Sequence, residues 1–303
     1  VLSSLRITNV FTNRQRTMNI RWVQQGVGGI RMKKLGVCSW SLQSASWREL
    51  VDHLTQCGLT RTQVALEPFV SGGWDIEEIM DQRDVHNISF LSGMMETIGE
   101  DYSTLESIQR TGGIRSDEHW ENNQKRTKNH AKIARQLGVG LVTFHAGFIP
   151  KFNTAEYTII VDRIQRVADI FDQLDIRIAL ETGQEHAEDL LELLAHPRLS
   201  QVGINFDPAN MILYGMGDPT EAIKLLKDRI VQVHMKDAIK SLVTGKWGEE
   251  VPTGEGEVDW RSFFDTIAEL PEHVNVLIER ESGSNRVQDI IQAKNIANSY
   301  GCH

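Results

Sequence analysis

The feature that most constrains the fold is a regular alternation from Leu35 onward, in which short apolar runs are followed by longer amphipathic stretches. The eight apolar runs are Leu35–Ser41, Gln63–Phe69, Ile88–Met94, Leu141–His145, Ile176–Glu181, Val202–Asp207, Ile230–His234 and Val274–Glu279. Such runs, separated by helical patterns, are typical of parallel strands joined by right-handed crossovers. Because eight strands close a (β/α)8 barrel, we predict an α/β chain that forms one TIM barrel.

The amphipathic stretches predict the helices between these strands. They are Trp47–Cys57, Asp117–Leu137, Ala155–Leu174, Ala187–Leu194, Thr220–Leu226, Trp260–Leu270 and Arg286–Ala297. A doubly wound open sheet would show the same alternation, and periodicity alone leaves that alternative open. The first run does not lead into a Gly-x-Gly-x-x-Gly turn, the signature that would favour a dinucleotide-binding sheet. The polar stretch Thr97–Ser116 follows the third run, and there we expect either a loop over a site or a surface insertion.

The two ends of the chain differ in charge. Residues 1–34 contain seven basic side chains and no acidic one, whereas the whole chain has a formal charge of −9. Residues 35–303 therefore carry −16. We expect residues 1–31 to be an N-terminal extension, either poorly ordered or upstream of a natural start near Met32, with a transit peptide as an alternative. Residues 32–303 then form the catalytic barrel domain.

Composition narrows the classes of function. Hydrophobic residues make up 40% and charged residues 24%, which is typical of globular proteins, and no apolar run approaches the roughly 18 residues that span a membrane. The acidic barrel argues against a nucleic-acid partner. The three cysteines are far apart, which favours a reducing, cytoplasmic location. The oligomeric state stays open, with a homo-oligomer among the outcomes the sequence allows.

Four consecutive apolar runs end in a side chain that can bind a metal: Glu181, Asp207, His234 and Glu279. The carboxyl ends of barrel strands meet on one face, where the active sites of such barrels lie, so these side chains should converge. Polar residues that simply enter loops are the alternative. Three carboxylates and one imidazole suit Mn²⁺ or Mg²⁺ best, and Co²⁺ and Zn²⁺ are further candidates.

Other candidates for the same face lie at or near strand ends. His145 follows the fourth run and could contact substrate, Glu67 could bind substrate hydroxyls, and Trp40 could form an apolar wall. Asn210 and Lys236 lie within three residues of proposed ligands and could point into the same pocket. For each of these five residues, an ordinary structural role is the alternative.

The chain from about Leu35 to Ser299 resembles the sugar phosphate isomerase/epimerase family of xylose isomerase-like barrels, which includes ketose 3-epimerases and hydroxypyruvate isomerases. The matching motifs are Ala179-Leu180-Glu181, Asn205-Phe206-Asp207-Pro208-Ala209-Asn210, Val231-Gln232-Val233-His234-Met235-Lys236-Asp237, Gly254-Glu255-Gly256-Glu257-Val258-Asp259-Trp260 and Leu277-Ile278-Glu279. The resemblance implies that Glu181, Asp207, His234 and Glu279 are metal ligands. It further implies that Glu181 and Glu279 are the acid/base pair.

The chain departs from the ketose 3-epimerase pattern at three positions, which carry Asn210, Ala187 and Lys240 where those enzymes carry His, Glu and Arg. The resemblance therefore implies a metal-dependent isomerase or epimerase acting on a small sugar or sugar-derived substrate, without identifying that substrate.

The residue types suggest a mechanism in which two carboxylates on opposite sides of a bound sugar move a proton through an enediolate. Two other functions compete with it. One is a nuclease of the endonuclease IV type, which shares the barrel but needs additional histidine ligands, and the other is a non-catalytic sugar-binding barrel.

Overall fold

The computed structural model describes residues 33–243 and 245–303 of the chain. Its strands are β1 (Leu35–Cys38), β2 (Arg61–Ala65), β3 (Ser89–Met94), β4 (Leu141–Phe144), β5 (Arg177–Glu181), β6 (Gly203–Phe206), β7 (Ile230–Met235), β8 (Asp237–Ile239), β9 (Glu249–Val251) and β10 (Asn275–Ile278). Its α-helices are α1 (Trp47–Cys57), α2 (Glu67–Val70), α3 (Ile76–Val85), α4 (Leu105–Thr111), α5 (Asp117–Gln136), α6 (Ala155–Asp172), α7 (Ala187–Leu194), α8 (Pro208–Tyr214), α9 (Pro219–Leu226), α10 (Trp260–Glu269) and α11 (Arg286–Ser299).

Eight of the strands form the closed parallel barrel that the sequence predicts. Their order around the barrel is β1, β10, β7, β6, β5, β4, β3 and β2, with every neighbouring pair parallel. The apolar faces of the helices pack around these strands in one continuous core. All eight strands therefore present their carboxyl ends on the same face, which confirms the fold predicted from the alternation.

The remaining two strands, β8 and β9, pair antiparallel on that face, in the connection between β7 and α10. Asp237 holds this connection together, because its buried carboxylate accepts the backbone N–H groups of Gly254, Gly256 and Val258 and the indole N–H of Trp260. A Cβ at residue 256 would lie 2.1 Å from Asp237 Oδ1, so only glycine fits there. The Gly254–Trp260 motif thus has a structural role: its N–H groups bind Asp237 and fix the connection at the carboxyl-terminal end of the barrel.

Local structure differs from the sequence prediction after β2. The second apolar run was expected to be strand through Phe69, but β2 ends at Ala65 and residues 67–70 form the short helix α2. Pro68 occupies the first turn of that helix, where proline is tolerated because no N–H is needed. The sequence prediction also missed helices α3, α4 and α8.

Across the described parts of the chain, none of the helices combines the length and apolar character needed to cross a membrane. The predicted N-terminal extension, residues 1–31, lies outside the described residues.

Candidate metal and substrate site

The four side chains predicted as metal ligands meet at the carboxyl-terminal face of the barrel. Glu181 ends β5, Asp207 follows β6, His234 lies near the end of β7 and Glu279 follows β10. These are four adjacent strands, and one potential ligand atom from each residue lies within 4.8 Å of all the others. All four residues are buried, with exposures from 0% to 4%. The barrel thus brings together residues almost 100 positions apart.

His234 presents a defined nitrogen to the carboxylates. Its Nδ1 lies 3.4 Å from Glu181 and 3.3 Å from Glu279, while its Nε2 lies 2.7 Å from Gln63 Oε1 on β2. The Gln63 amide donates through Nε2 to Thr143 Oγ1 at 2.7 Å, so its oxygen faces the imidazole and accepts the Nε2 proton. A neutral His234 therefore directs its Nδ1 lone pair at the carboxylate cluster, as a metal ligand requires.

The carboxylates of Glu181 and Asp207 are held by neighbouring donors. Glu181 accepts one hydrogen bond from Asn205 Nδ2 at 3.0 Å and one from Asn210 Nδ2 at 3.1 Å. Asp207 Oδ1 caps the N-terminus of α8 by accepting from the backbone N–H groups of Ala209 and Asn210. Asp207 Oδ2 is buried and accepts no hydrogen bond from the described residues, so one lone-pair-bearing oxygen faces the cluster unsatisfied.

Glu279 is held from two sides. Trp40 donates its indole N–H to Oε1 at 2.9 Å, and Lys236 donates to Oε2 at 3.0 Å. Lys236 is 2% exposed and also donates to Asn210 Oδ1 and to Glu281. Each of Trp40, Asn210 and Lys236 therefore contacts at least one predicted metal ligand. Together with the three carboxylates and the imidazole, they form one hydrogen-bonded network.

The electrostatics of the cluster suit a cation. Burial raises the pKa of Asp207 to about 6, although Lys236 opposes the shift. Burial lowers the pKa of His234, but neighbouring acidic groups, among them the carboxylates of Glu279 and Glu181, outweigh it and raise that pKa well above its ordinary value. Groups that so strongly favour positive charge on Nδ1 would equally favour a divalent ion beside it. The orphaned Oδ2 of Asp207 and the directed Nδ1 of His234 fit such an ion.

Cys38 also lies near His234, with Sγ 3.6 Å from Nε2, but on the side of the ring that Gln63 occupies. Burial raises the pKa of its thiol to about 12, so the sulfur keeps its proton and is a poor metal ligand. The oxygen-rich set with Glu181 and Asp207 is therefore the better metal site.

A cavity of about 560 Å³ opens directly above the cluster. Trp40, His145, Asn210 and Glu279 line its floor and walls, together with residues that follow β3. His145 lines the cavity, and its Nε2 lies 3.4 Å from Oε1 of the buried Glu181. The volume is within the usual range of small-molecule sites.

Aromatic side chains from two loops and from the end of α8 meet at the edge of this cavity. Tyr102, from the β3–α4 loop, stacks on Trp247, from the β8–β9 hairpin, with ring centroids 6.5 Å apart. Trp247 also contacts Tyr214 edge-on at 4.8 Å. The stretch Thr97–Ser116, expected to be either a cover or a surface insertion, contributes Tyr102 and Glu100 to the cavity lining.

Glu67, predicted to bind substrate, is placed differently. It lies on α2, where its carboxylate pairs with Arg126 and accepts a hydrogen bond from His130 Nε2 at 3.2 Å, and it is not among the residues that line the cavity. The helix that replaces the predicted strand end turns the side chain toward α5. Glu96, two residues after β3, lines the cavity instead.

Sequence reasoning missed Gln63 and Asn205, which hold His234 and Glu181. A signal exists for Asn205, which is a single polar residue within the otherwise apolar stretch Ile204-Asn205-Phe206, whereas Gln63 follows two other polar residues, Arg61 and Thr62, and is not marked in this way. In a closed barrel, such a residue points into the interior, where it needs a polar partner.

Comparison with known proteins identifies the family. The chain belongs to the xylose isomerase-like TIM barrel family, whose model matches residues 86–298. A 108-residue segment is 36% identical to a putative L-ribulose-5-phosphate 3-epimerase, SgbU, of Escherichia coli strain K12; the segment is 34% of this chain and 36% of that protein's length.

Two solved structures have the same fold. One is a xylose isomerase domain protein from Planctomyces limnophilus, with a TM-score of 0.74 and 24% identity over 88% of this chain and 95% of that one. The other is a xylose isomerase-like TIM barrel protein from Mycobacterium smegmatis in complex with magnesium, with a TM-score of 0.66 and 14% identity over 88% and 96% of the two chains. At these identities the likeness shows the fold alone.

Proposed function

We propose that this protein is a metal-dependent sugar isomerase or epimerase that moves a proton on a carbon next to a carbonyl, through an enediolate. The observation that carries the proposal is the convergence of Glu181, Asp207, His234 and Glu279 on one point beneath a substrate-sized cavity. Family membership and the printed name of the E. coli relative, an epimerase, support it. Three oxygen ligands and one imidazole favour Mn²⁺ or Mg²⁺. Three free cysteines are consistent with a cytoplasmic location.

Glu181 and Glu279 are the groups that would move the proton. They lie at the ends of strands three apart in the barrel, and this separation supports roles for them on different sides of a bound substrate. Burial opposes charge on Glu279, but Lys236 and His234 outweigh it and hold the pKa of Glu279 well below its ordinary value. Glu279 is therefore a carboxylate at neutral pH and can accept a proton. A proton returned by Glu181 to the other face gives epimerisation, and one returned to the neighbouring carbon gives aldose–ketose isomerisation.

The neighbours of the two carboxylates would hold the reacting groups in place. Trp40 and Lys236 fix the orientation of Glu279, and Asn205 and Asn210 fix that of Glu181. A divalent ion bound by the four residues would supply Lewis-acid stabilisation of negative charge on the substrate oxygens. His145, at the cavity wall beside Glu181, is placed to contact a substrate hydroxyl.

No observation favours the nuclease alternative. Residue 210, which would need to be a histidine ligand, is an asparagine whose amide bridges Glu181 and Lys236. The carboxylates that line the cavity would also repel a DNA backbone.

The proposal is tested by deuterium wash-in. Protein purified without chelator is incubated with ketoses and keto-acids in heavy water, with and without added Mn²⁺, and its metal content is measured in parallel. We expect one divalent ion per chain, exchange of one carbon-bound proton, and loss of exchange after chelation. A non-catalytic sugar binder would show binding without exchange. Protein that holds no metal and is not activated by Mn²⁺ would contradict the metal site.

A further inference from the structure

The cavity above the proposed metal site is lined by carboxylates and lacks a basic counterpart. Glu96, Glu100, Glu279 and Glu281 line it, whereas no lysine or arginine among the described residues does so. Burial, and after it the nearby carboxylate of Glu67, raise the pKa of Glu96.

The basic residues around the cavity are each committed to other partners. Lys236 is buried and donates to Asn210, Glu279 and Glu281. Arg126 pairs with Glu67. Arg280 is held between Glu250 and Asp289, and Arg115 donates to the backbone carbonyl of Phe148. Lys240 follows β8, is exposed and is not among the residues that line the cavity.

The helix nearest the site does not offer an anion pocket either. A phosphate group binds readily at a helix N-terminus because free N–H groups point at it. In α8, however, the side chain of Asp207 occupies that position and accepts the N–H groups of Ala209 and Asn210.

The formal charge of the complete site remains negative even with a metal bound. Three cavity carboxylates, Glu96, Glu100 and Glu281, add to those of Glu181, Asp207 and Glu279. Against these six, Lys236 and one divalent ion leave a formal charge of −3. A phosphate monoester would bring nearly two further negative charges into this cavity.

We propose that the substrate is an uncharged polyhydroxy carbonyl compound, a free ketose or its neutral derivative, and not a sugar phosphate. This inference rests on the proposed function, whose site it describes. The carboxylates of Glu96, Glu100 and Glu281 accept hydrogen bonds from sugar hydroxyls, since an ionised carboxylate has only acceptor capacity. The aromatic faces of Trp40 and Tyr214 cover the apolar C–H surface of the sugar.

The test compares a free ketose with its own phosphate. L-Ribulose and L-ribulose 5-phosphate, then other ketopentoses and ketohexoses with their terminal phosphates, are assayed by deuterium wash-in with metal-loaded protein at a fixed free Mn²⁺ concentration. We expect kcat/KM for each free sugar to exceed that for its phosphate by at least about 100-fold, because like charges placed together in a binding site cost several kcal/mol. Raising the ionic strength should narrow the ratio, since salt screens the repulsion, and should leave the free sugar unaffected.

Charge removal provides a matched pair of variants. Glu100→Gln keeps the oxygen that accepts the Gly113 N–H at 2.7 Å but removes one negative charge from the cavity. We expect this variant to lower the ratio of kcat/KM for the free sugar to kcat/KM for its phosphate by about fivefold, because one charge interaction of about 1 kcal/mol is removed. Glu106→Gln makes the same chemical change on exposed α4, outside the cavity lining, and should leave the ratio unchanged.

Each outcome is decisive. Equal or better exchange of the phosphates would overturn the uncharged substrate while leaving the proposed isomerase intact. Equal shifts from Glu100→Gln and Glu106→Gln would also overturn it, because the cavity charge would then play no part. An absence of exchange on every sugar, free or phosphorylated, would overturn the proposed function and this inference with it.

Discussion

The two halves of the barrel's carboxyl-terminal face are built differently. On the half formed by β5, β6, β7 and β10, the proposed functional side chains lie at strand ends and are almost completely buried. On the half formed by β1, β2, β3 and β4, most of the residues that line the cavity lie in loops, and Tyr102 is 50% exposed. The first half holds the proposed metal-binding groups, and the second contributes most of the cavity lining.

The two halves also differ in how firmly their side chains are held in place. Each carboxylate on the buried half is hydrogen-bonded by at least one neighbour, so its position is determined by the barrel itself. The loop half depends on side-chain contacts between separate segments, such as the stacking of Tyr102 on Trp247. Changes on the buried half should therefore affect turnover and metal binding, and changes on the loop half should affect which substrate is accepted.

The largest effect should come from Glu279→Gln, on the buried half. The amide keeps an oxygen for the indole N–H of Trp40 but cannot accept the substrate proton. We expect turnover to fall by about 10²–10⁴-fold, the usual contribution of a general base, with a much smaller change in thermal stability. Deuterium wash-in and thermal unfolding measure the two quantities.

Glu269→Gln is the control for this variant, because Glu269 lies on the outside of α10 and pairs there with exposed Lys227. It should retain full turnover. Near-normal turnover of Glu279→Gln on the true substrate would remove Glu279 from the mechanism.

Glu185 is a buried carboxylate outside the proposed metal site, and its replacement should raise the stability of the protein. Burial raises the pKa of Glu185 to about 8, from an ordinary value of 4.5. The folded protein therefore keeps a proton that the unfolded chain releases. This contribution to stability is complete below about pH 4.5 and is lost as the pH rises to about 8.

We expect Glu185→Gln to raise the free energy of unfolding at pH 8 by roughly 3–5 kcal/mol relative to the native protein, and to have little effect at pH 4.5. Urea unfolding at both values measures the difference. The exposed Glu188→Gln should show no such dependence on pH. Equal effects of Glu185→Gln at both values would show that Glu185 is ionised in the folded protein.

The smallest of the three mutational effects should come from Gln63, and it tests whether a residue on the loop half of the barrel face influences metal binding on the buried half. Gln63 lies on β2, in the loop half, yet its amide orients His234 in the buried half. Gln63→Met should weaken metal binding by about 10–100-fold, the usual cost of losing a partner that orients a ligand. Competition with a chromophoric chelator gives the affinity, and the visible spectrum of bound Co²⁺ reports the ligand geometry.

Gln232→Met is the matched control, because Gln232 donates to the same Gln63 oxygen and, among the described residues, forms no hydrogen bond with His234. It removes an amide of the same size from the same interior and should change metal affinity far less. Equal losses in both variants would mean that Gln63 acts only through packing.

Much of the fold could be predicted because the signals are local. An apolar run followed by an amphipathic stretch specifies a strand and a helix wherever it occurs, and β5, β6, β7 and β10 were predicted within one or two residues of their observed bounds. The run that ends at Phe69 misled the prediction, since its apolar character continues through a short helix that begins beyond Ala65. Periodicity cannot separate strand from helix over so few residues.

The sequence by itself determined the eight strands and the chemical type of the side chain at the end of each, because both follow from neighbouring residues. Only the tertiary structure decided which of those side chains share a site. It turned Glu67 toward Arg126, directed Gln63 at His234 and placed Lys236 between Glu279 and Glu281. These partners lie between 43 and 171 positions apart in the sequence, and no local pattern encodes a contact at that separation.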